Sequence, residues 1–339
     1  MIPPVLFDLI QVFLFPGFLF LISYALLCEW ISRKFIARLQ NRFGPLHTGW
    51  GGILQPLADF IKLLAKEDIT PEAADKLTFT LMPIIIFVLP LAALSLVPIQ
   101  SLRNLWDYSP IVSFEGDLIF VLFLLSIVIL SVFLAGWSSN NRFAIVGATR
   151  AALQMIAYEI PLSIAMIGPA IFAQSLSIEK IVEWEAHSIQ RFLNAPNLTA
   201  IPVAIILAFG FIISLLCQLA ELELRPFDIP EAETEIVHGW QVEYSGKKLA
   251  LLRLGHDIKL VLASALLTSL FLGGPIGPRP IPPIVWFLLK TMITILIFSN
   301  LSALFARFRI DQMVSGLWRY LTPLSILYII IIQILVGGM

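Results

Sequence analysis

Hydrophobic residues in this chain do not alternate with polar ones; they run on in long blocks. Apolar windows long enough to cross about 30 Å of hydrocarbon, which takes roughly 20 helical residues, fall at 8–31, 79–99, 117–137, 151–173, 200–221, 249–273, 283–306 and 318–337. A transmembrane barrel would show short segments of strict alternation, whereas the run from Ile119 to Ser131 is apolar almost without a break. The pattern predicts an all-α, polytopic membrane protein: eight transmembrane helices with amphipathic helices in the cytoplasmic loops. No internal repeat or low-complexity linker divides 1–339, so a single membrane domain is expected.

The connections differ in charge. The odd ones, 32–78, 138–150, 222–248 and 307–317, hold fourteen Lys and Arg, and the even ones hold four, Arg103, Lys180, Arg191 and Arg279. By the positive-inside rule the odd connections face the cytoplasm, which puts both termini outside a plasma or inner membrane. The first window has no basic segment before it and no small-residue cleavage site, so it reads as a retained span. Within the first connection, the apolar positions of Gly52 to Lys66 recur at helical spacing. That segment is expected to lie along the membrane surface, as an anchor or as a docking face for a soluble partner.

Of the 339 residues 58% are hydrophobic and 13% charged, with a net charge of −1, so no basic field is available to hold nucleic acid. Cys28 and Cys217 each lie in an apolar run, far from a second thiol at metal or iron–sulfur spacing. No cofactor is therefore expected on this chain. Nucleophile–base triads, Walker loops and GxGxxG sequences are also missing from it.

Candidate chemistry lies in the ionisable residues inside the windows, because charge in hydrocarbon is costly and calls for a function. Glu159 falls in the fourth window, and Glu221 ends the fifth on one face with Cys217 and Gln218. The sixth carries Arg253, His256, Asp257 and Lys259 within two turns, a spacing that allows an ion pair between Arg253 and Asp257. Between these windows, 221–246 holds seven carboxylates: Glu221, Glu223, Asp228, Glu231, Glu233, Glu235 and Glu243. They are interleaved with Phe227, Ile229, Ile236, Val237, Trp240 and Tyr244. Such interleaving predicts a folded re-entrant segment, and crowded carboxylates raise one another's pKa toward neutrality. Together with Glu159, His256, Asp257 and Lys259, these acids form the candidate ion-translocation path.

Several motifs resemble one family. They are Gln40-Asn-Arg-Phe-Gly-Pro45, Leu54-Gln-Pro-Leu-Ala-Asp59 with Lys62 and Lys66-Glu67, Arg150-Ala-Ala-Leu-Gln-Met-Ile-Ala-Tyr-Glu159, Pro226-Phe-Asp-Ile-Pro-Glu-Ala-Glu-Thr-Glu235, Glu243-Tyr-Ser-Gly246 and Arg307-Phe-Arg-Ile-Asp-Gln312. In order and spacing they resemble the H-type (subunit 1) membrane protein of complex I and its relatives in energy-converting hydrogenases and sulfur reductases. The resemblance implies a subunit where a soluble redox arm meets an ion-pumping membrane arm. Iron–sulfur clusters, and in some branches a nickel–iron site, would sit on soluble iron–sulfur and hydrogenase-like large subunits, with antiporter-like subunits alongside in the bilayer. Arg33, Lys34, Arg42, Asp59 and Lys62 are the expected docking residues for the soluble arm.

Certain positions depart from the quinone-reducing members. Ser32-Arg33-Lys34 stands for Glu-Arg-Lys, with Glu29 one turn earlier, Leu46-His47 for Asn-Arg, and His256-Asp257 for Glu-Tyr. The arginine before the Pro-Phe-Asp motif is displaced to Leu224-Arg225. These departures point to the ferredoxin-linked hydrogenase or sulfur-reductase branch, with a quinone-cavity subunit as the alternative. An autonomous ion or solute transporter is the remaining reading, and it lacks the paired interrupted spans that an inverted repeat would supply.

Overall fold

A computed structural model describes residues 10–100, 106, 108–194, 200–278 and 280–337. Arg103, Arg279 and positions 8 and 9 of the first window lie outside the described residues. Every regular element among those described is helical, and eight helices are long and apolar enough to cross a membrane. Apart from short helical turns at Trp50–Gly52, Glu233–Ile236 and Gly239–Gln241, the helices in chain order are α1 (Phe18–Leu39), α2 (Gln55–Ala65), α3 (Lys76–Leu94), α4 (Asp117–Ser138), α5 (Arg142–Ala173), α6 (Ile178–Asn194), α7 (Ala200–Glu221), α8 (Gly246–Phe271), α9 (Pro283–Leu304), α10 (Ile310–Gly316) and α11 (Thr322–Gly337). A π-helical turn, Leu317–Leu321, joins α10 to α11, so that the two make one span.

Several boundaries differ from the hydropathy windows. α1 continues to Leu39, so Ser32 to Leu39 are helical and not loop, because Arg33 meets Glu29 one turn back and the charge no longer ends the helix. α3 stops at Leu94, five residues before the window does, since Pro98 disfavours helical backbone just before it. α5 starts at Arg142, nine residues early, where the Asn141 side chain accepts from the Phe143 N–H at 2.9 Å and caps it. Its 32 residues span about 48 Å at 1.5 Å each, so its first turns project beyond the hydrocarbon. The last span begins at Ile310, where Gln312 accepts from the Arg309 N–H at 3.2 Å.

A further correction concerns 174–199, expected to be a plain connection. It carries α6, whose Ile178, Ile181, Val182, Glu185 and Ala186 are buried along one face. Its other face is charged, so averaging over a window hid the helix.

α8 is the central element. In its most apolar window 94% of residues are buried, against 22–61% for the other seven spans, and α1, α2, α3, α6, α7 and α9 all pack on it. The odd connections gather at one end of the bundle, the inner end of the predicted topology. There 222–245 folds back against α4 and α5, as the interleaving predicted. Phe227, Ile229, Ile236, Trp240 and Tyr244 are buried, and Val237 alone of the six apolar residues is exposed. Tyr244 stacks on Phe79 with centroids 4.2 Å apart and donates to the Ala135 carbonyl at 3.1 Å. Gln154 of α5 donates to the carbonyls of Ala220 at 2.6 Å and Phe227 at 3.0 Å, tying both ends of the turn after α7 to one side chain.

Gly147 and Gly239 make this docking possible. A Cβ on Gly147 would lie 2.5 Å from the Trp240 nitrogen, and Gly239 has φ +56 with the Pro230 carbonyl in the place of its Cβ. Gly147→Leu is expected to lift the segment off α5 and destabilise the protein by about 1–3 kcal/mol. A lowered Tm of the detergent-solubilised protein, with faster hydrogen exchange confined first to 226–245, is the readout.

Candidate functional site

A narrow crevice opens between α1, α2 and α8. Pro56 near the start of α2 presets the backbone for a helix, and Leu63 seats it on the bundle. Seating α2 this way turns Asp59 inward. Arg33 donates to Asp59 at 2.8 Å and also ion-pairs Glu29, while Gln55 donates to Asp59 at 3.0 Å. Burial works to raise the Asp59 carboxyl, but the hydrogen bonds from Arg33 and Gln55 outweigh it and hold the group below its ordinary range. Across the crevice Asp257 of α8 faces Glu29 of α1.

Farther along α8, buried Lys259 donates to the backbone carbonyl of Glu221, where α7 ends. Both Glu221 carboxylate oxygens are buried and make no hydrogen bond. Glu223, in the following turn, accepts from the Trp240 indole at 3.5 Å. Burial raises its pKa, Asp228 adds to the rise, and Lys259 and Trp240 oppose it. Glu231 is half-buried and accepts from the Gln241 amide. Burial first, then Glu223, Asp228 and Glu233, push it up to about 8. Asp228 is bound by Arg307 at 2.6 Å and faces Arg225 at 3.6 Å, which joins the Pro226–Glu235 and Arg307–Gln312 motifs. On the far side of Glu221 a second crevice holds Tyr158 and Glu159, and Ser126 of α4 donates to Glu159.

The structure thus divides the predicted path residues. Glu159, Glu221, Glu223, Asp228 and Glu231 converge, with Lys259 among them and Asp257 on the crevice side. Glu233 and Glu235 are exposed, and Glu235 pairs with Arg150 at 2.6 Å. Glu243 accepts from Asn141 at 2.5 Å at the start of α5. The ion pair expected between Arg253 and Asp257 does not form within 4 Å; Asp257 turns to Glu29 of α1, and Arg253 is exposed in the crevice. A partner from another helix took precedence over helical spacing. His256 is half-buried on α8, three residues from Lys259.

Of the expected docking residues, Arg42 and Lys62 are exposed, beside exposed Phe43 and Trp50. Lys34 folds back, donating to the Gly51 carbonyl at 2.8 Å and lying over the Trp30 ring. Arg33 and Asp59 are each other's partners in the crevice. Glu29, noted in the sequence as the acid one turn before Arg33, does pair with it, and Arg307 of the last motif binds Asp228. Ser126 is a participant that sequence reasoning did not place here, and nothing local marks it.

The chain matches the NADH dehydrogenase family over residues 11–333. It is 38% identical to the H subunit of the NADH-quinone oxidoreductase of Syntrophotalea carbinolica, over 92% of this chain and 90% of that one. To the protein of the same name from Dehalococcoides mccartyi it is 36% identical, over 92% and 82%. To an H subunit of the NADH-quinone oxidoreductase of Geobacter sulfurreducens it is 34% identical, over 94% and 92%. The chain belongs to the family of H-type membrane subunits of complex I. It is therefore a multi-pass membrane subunit of an oxidoreductase complex with other subunits around it.

Within this family member, Glu231 lends the inner segment a pH dependence. Its unfolded value is near 4.5 and its folded value about 8, so the folded chain holds this proton more tightly. The stabilisation is complete below about 4.5 and is lost as pH rises through 8. Hydrogen exchange across 226–241 is expected to speed up over that range beyond the intrinsic pH effect, and Glu231→Gln should remove the excess.

Proposed function

We propose that this chain is the coupling subunit of an NADH-quinone oxidoreductase-type complex. In this reading, reduction of a quinone by the soluble arm at the Glu29–Arg33–Asp59 crevice changes proton occupancy along Asp257, Glu223, Glu221 and Glu159. The observation that carries the reading is continuity: Asp257 and Lys259 lie two residues apart on α8, and each contacts one end of the acidic series. Glu29 also supports the quinone branch over the hydrogenase or sulfur-reductase branch. Its pair with Arg33 supplies, from one turn earlier, the acid that Ser32 lacks. The relatives at 34–38% identity are all quinone oxidoreductase subunits by name.

The hydrogenase or sulfur-reductase branch keeps three favourable observations, the exposed Leu46 and His47 in place of Asn-Arg, the displaced Arg225, and His256-Asp257 in place of Glu-Tyr. Copurifying subunits and inhibitor response separate the two. Quinone-site inhibitors are expected to block the complex purified from native membranes, and Glu29→Gln to lower quinone reduction at least about tenfold, or roughly 1.4 kcal/mol of barrier. A copurifying nickel–iron subunit with no inhibitor response would favour the second branch.

The soluble iron–sulfur subunits would dock at the inner end, with antiporter-like subunits beside the bundle, no redox group on this chain and both termini outside. The exposed stripe Leu57, Ile61 and Leu64 of α2, near Lys62 and Arg42, offers an apolar and cationic surface for that contact. Photo-crosslinkers at Leu57 and Ile61 are expected to capture soluble-arm subunits; capture through 174–199 alone would overturn the docking and the topology together. Glu159→Gln keeps size and removes the titrating group. It should leave subunit content unchanged and lower proton yield per electron in proteoliposomes, whereas wild-type coupling would make Glu159 structural.

A further inference from the structure

Beyond Glu221, toward the outer end, the bundle interior holds a set of buried polar atoms with no hydrogen-bond partner. Gln218 leaves both its amide atoms unpaired, and Ser214, Ser269 and Tyr328 leave their hydroxyls unpaired. Glu185 leaves one carboxylate oxygen unpaired. All five residues are at most 2% exposed. An orphaned buried polar group costs about 1–3 kcal/mol, and an apolar residue would fit such sites in a membrane protein without that cost.

These residues form a column. On α7, Gly210, Ser214, Gln218 and Glu221 follow one another at three- and four-residue steps, hence along one face, and rise about 16 Å. The Tyr328 hydroxyl of α11 fills the notch between Gly210 of α7 and Gly168 of α5, since a Cβ on either glycine would lie 2.3 Å from it. Gly210 is one turn outward of Ser214. Ser269 is ten residues outward of Lys259 on α8, about 15 Å, which sets it between the levels of Ser214 and Gly210 on α7.

Glu185 on the buried face of α6 closes the outer end, within electrostatic reach of Tyr328 and of Lys290 on α9. Lys290 gives its three protons elsewhere, to the carbonyls of Leu272 at 2.6 Å, Gly274 at 2.9 Å and Ile276 at 2.8 Å. It faces Glu185 as a charge and leaves that carboxyl oxygen free. Burial pushes Glu185, which lies outside the spans, up to about 8 against the pull of Lys290.

We propose that Gln218, Ser214, Ser269, Tyr328 and Glu185 line an outer half-path, which carries protons through interposed water from Glu221 to the outer surface with Glu185 as its exit carboxyl. Water is the partner that suits scattered hydroxyl, amide and carboxyl groups, needing two to four polar contacts each. Each hydroxyl accepts one proton and passes on another, so the column returns to its starting state once Glu185 releases a proton outside. Gln218 holds water without itself being protonated. The inference rests on the coupling function proposed above, because Glu221 must be loaded from the inner side.

The test compares Glu185→Gln, Tyr328→Phe, Ser214→Ala and Glu159→Gln in the intact complex in proteoliposomes, measuring electron turnover with and without uncoupler and protons released per electron. Glu185→Gln and Tyr328→Phe are expected to lose proton yield per electron while keeping uncoupled turnover and subunit content, and Glu185→Asp to recover part of it. A redox-induced infrared difference band of a protonated carboxyl should also disappear in Glu185→Gln. Wild-type yield in Glu185→Gln and Tyr328→Phe overturns the half-path. If Glu185→Gln fails to assemble, wild-type yield in both Tyr328→Phe and Ser214→Ala overturns it, and loss of yield in Tyr328→Phe supports it. Loss of coupling in Glu159→Gln alone would leave the coupling function standing without this exit; normal coupling in Glu159→Gln as well would remove both.

Discussion

Burying α8 on every side while it carries Asp257 and Lys259 constrains the rest of the bundle. Translocon scales put a central Asp, Lys or Arg at about 2.5–3.5 kcal/mol in hydrocarbon, and three of the helices that cover α8 bring a polar group toward those levels. α1 brings Glu29 and Arg33, α2 brings Asp59, and the end of α7 brings the Glu221 carbonyl. The same demand keeps α1 helical past its apolar window and turns one face of α2 inward. Polar pairing, more than apolar area, decides the relative positions of these helices, since lipid offers apolar groups as good a solvent as a neighbouring helix does.

The 222–245 segment answers a second constraint, that irregular backbone at this depth must be satisfied by protein. Gln154 serves two carbonyls, Arg307 and Arg225 face Asp228, and Trp240 reaches Glu223. The apolar residues of the segment anchor it on α3, α4 and α5, so that its acids are held at fixed points and not along a solvated loop. Glu231, enclosed among acids and held near 8, is thereby suited to exchange a proton at physiological pH.

The two crevices and the polar column lie in series around α7 and α8. The inner part is rich in carboxyls and arginine, and a change of charge there is felt strongly at low dielectric. The outer part is made of neutral hydroxyls and an amide, with one carboxyl at its end. Neutral groups relay protons without storing charge in the hydrocarbon, which is why the loading and conducting roles proposed above are assigned to the inner and outer parts respectively.

The sequence by itself determined the eight spans, the amphipathic α2 and the folding-back of 222–245, because hydropathy and periodicity act locally and a bilayer leaves helices as the economical answer. It also marked Glu159, Glu221, Asp257 and Lys259, since any charge in an apolar run stands out. Lys290 was equally visible in the seventh window and went unread, as did the amphipathic face of α6. Which charge meets which was decided by the tertiary structure alone. Helical spacing offered Arg253 to Asp257, and α1 delivered Glu29 instead; the acids of 221–246 look alike along the chain, and only folding turned Glu231 inward and left Glu233 and Glu235 at the surface. Pairing energies depend on distance and burial between segments far apart in sequence, and neither quantity exists until the helices have packed.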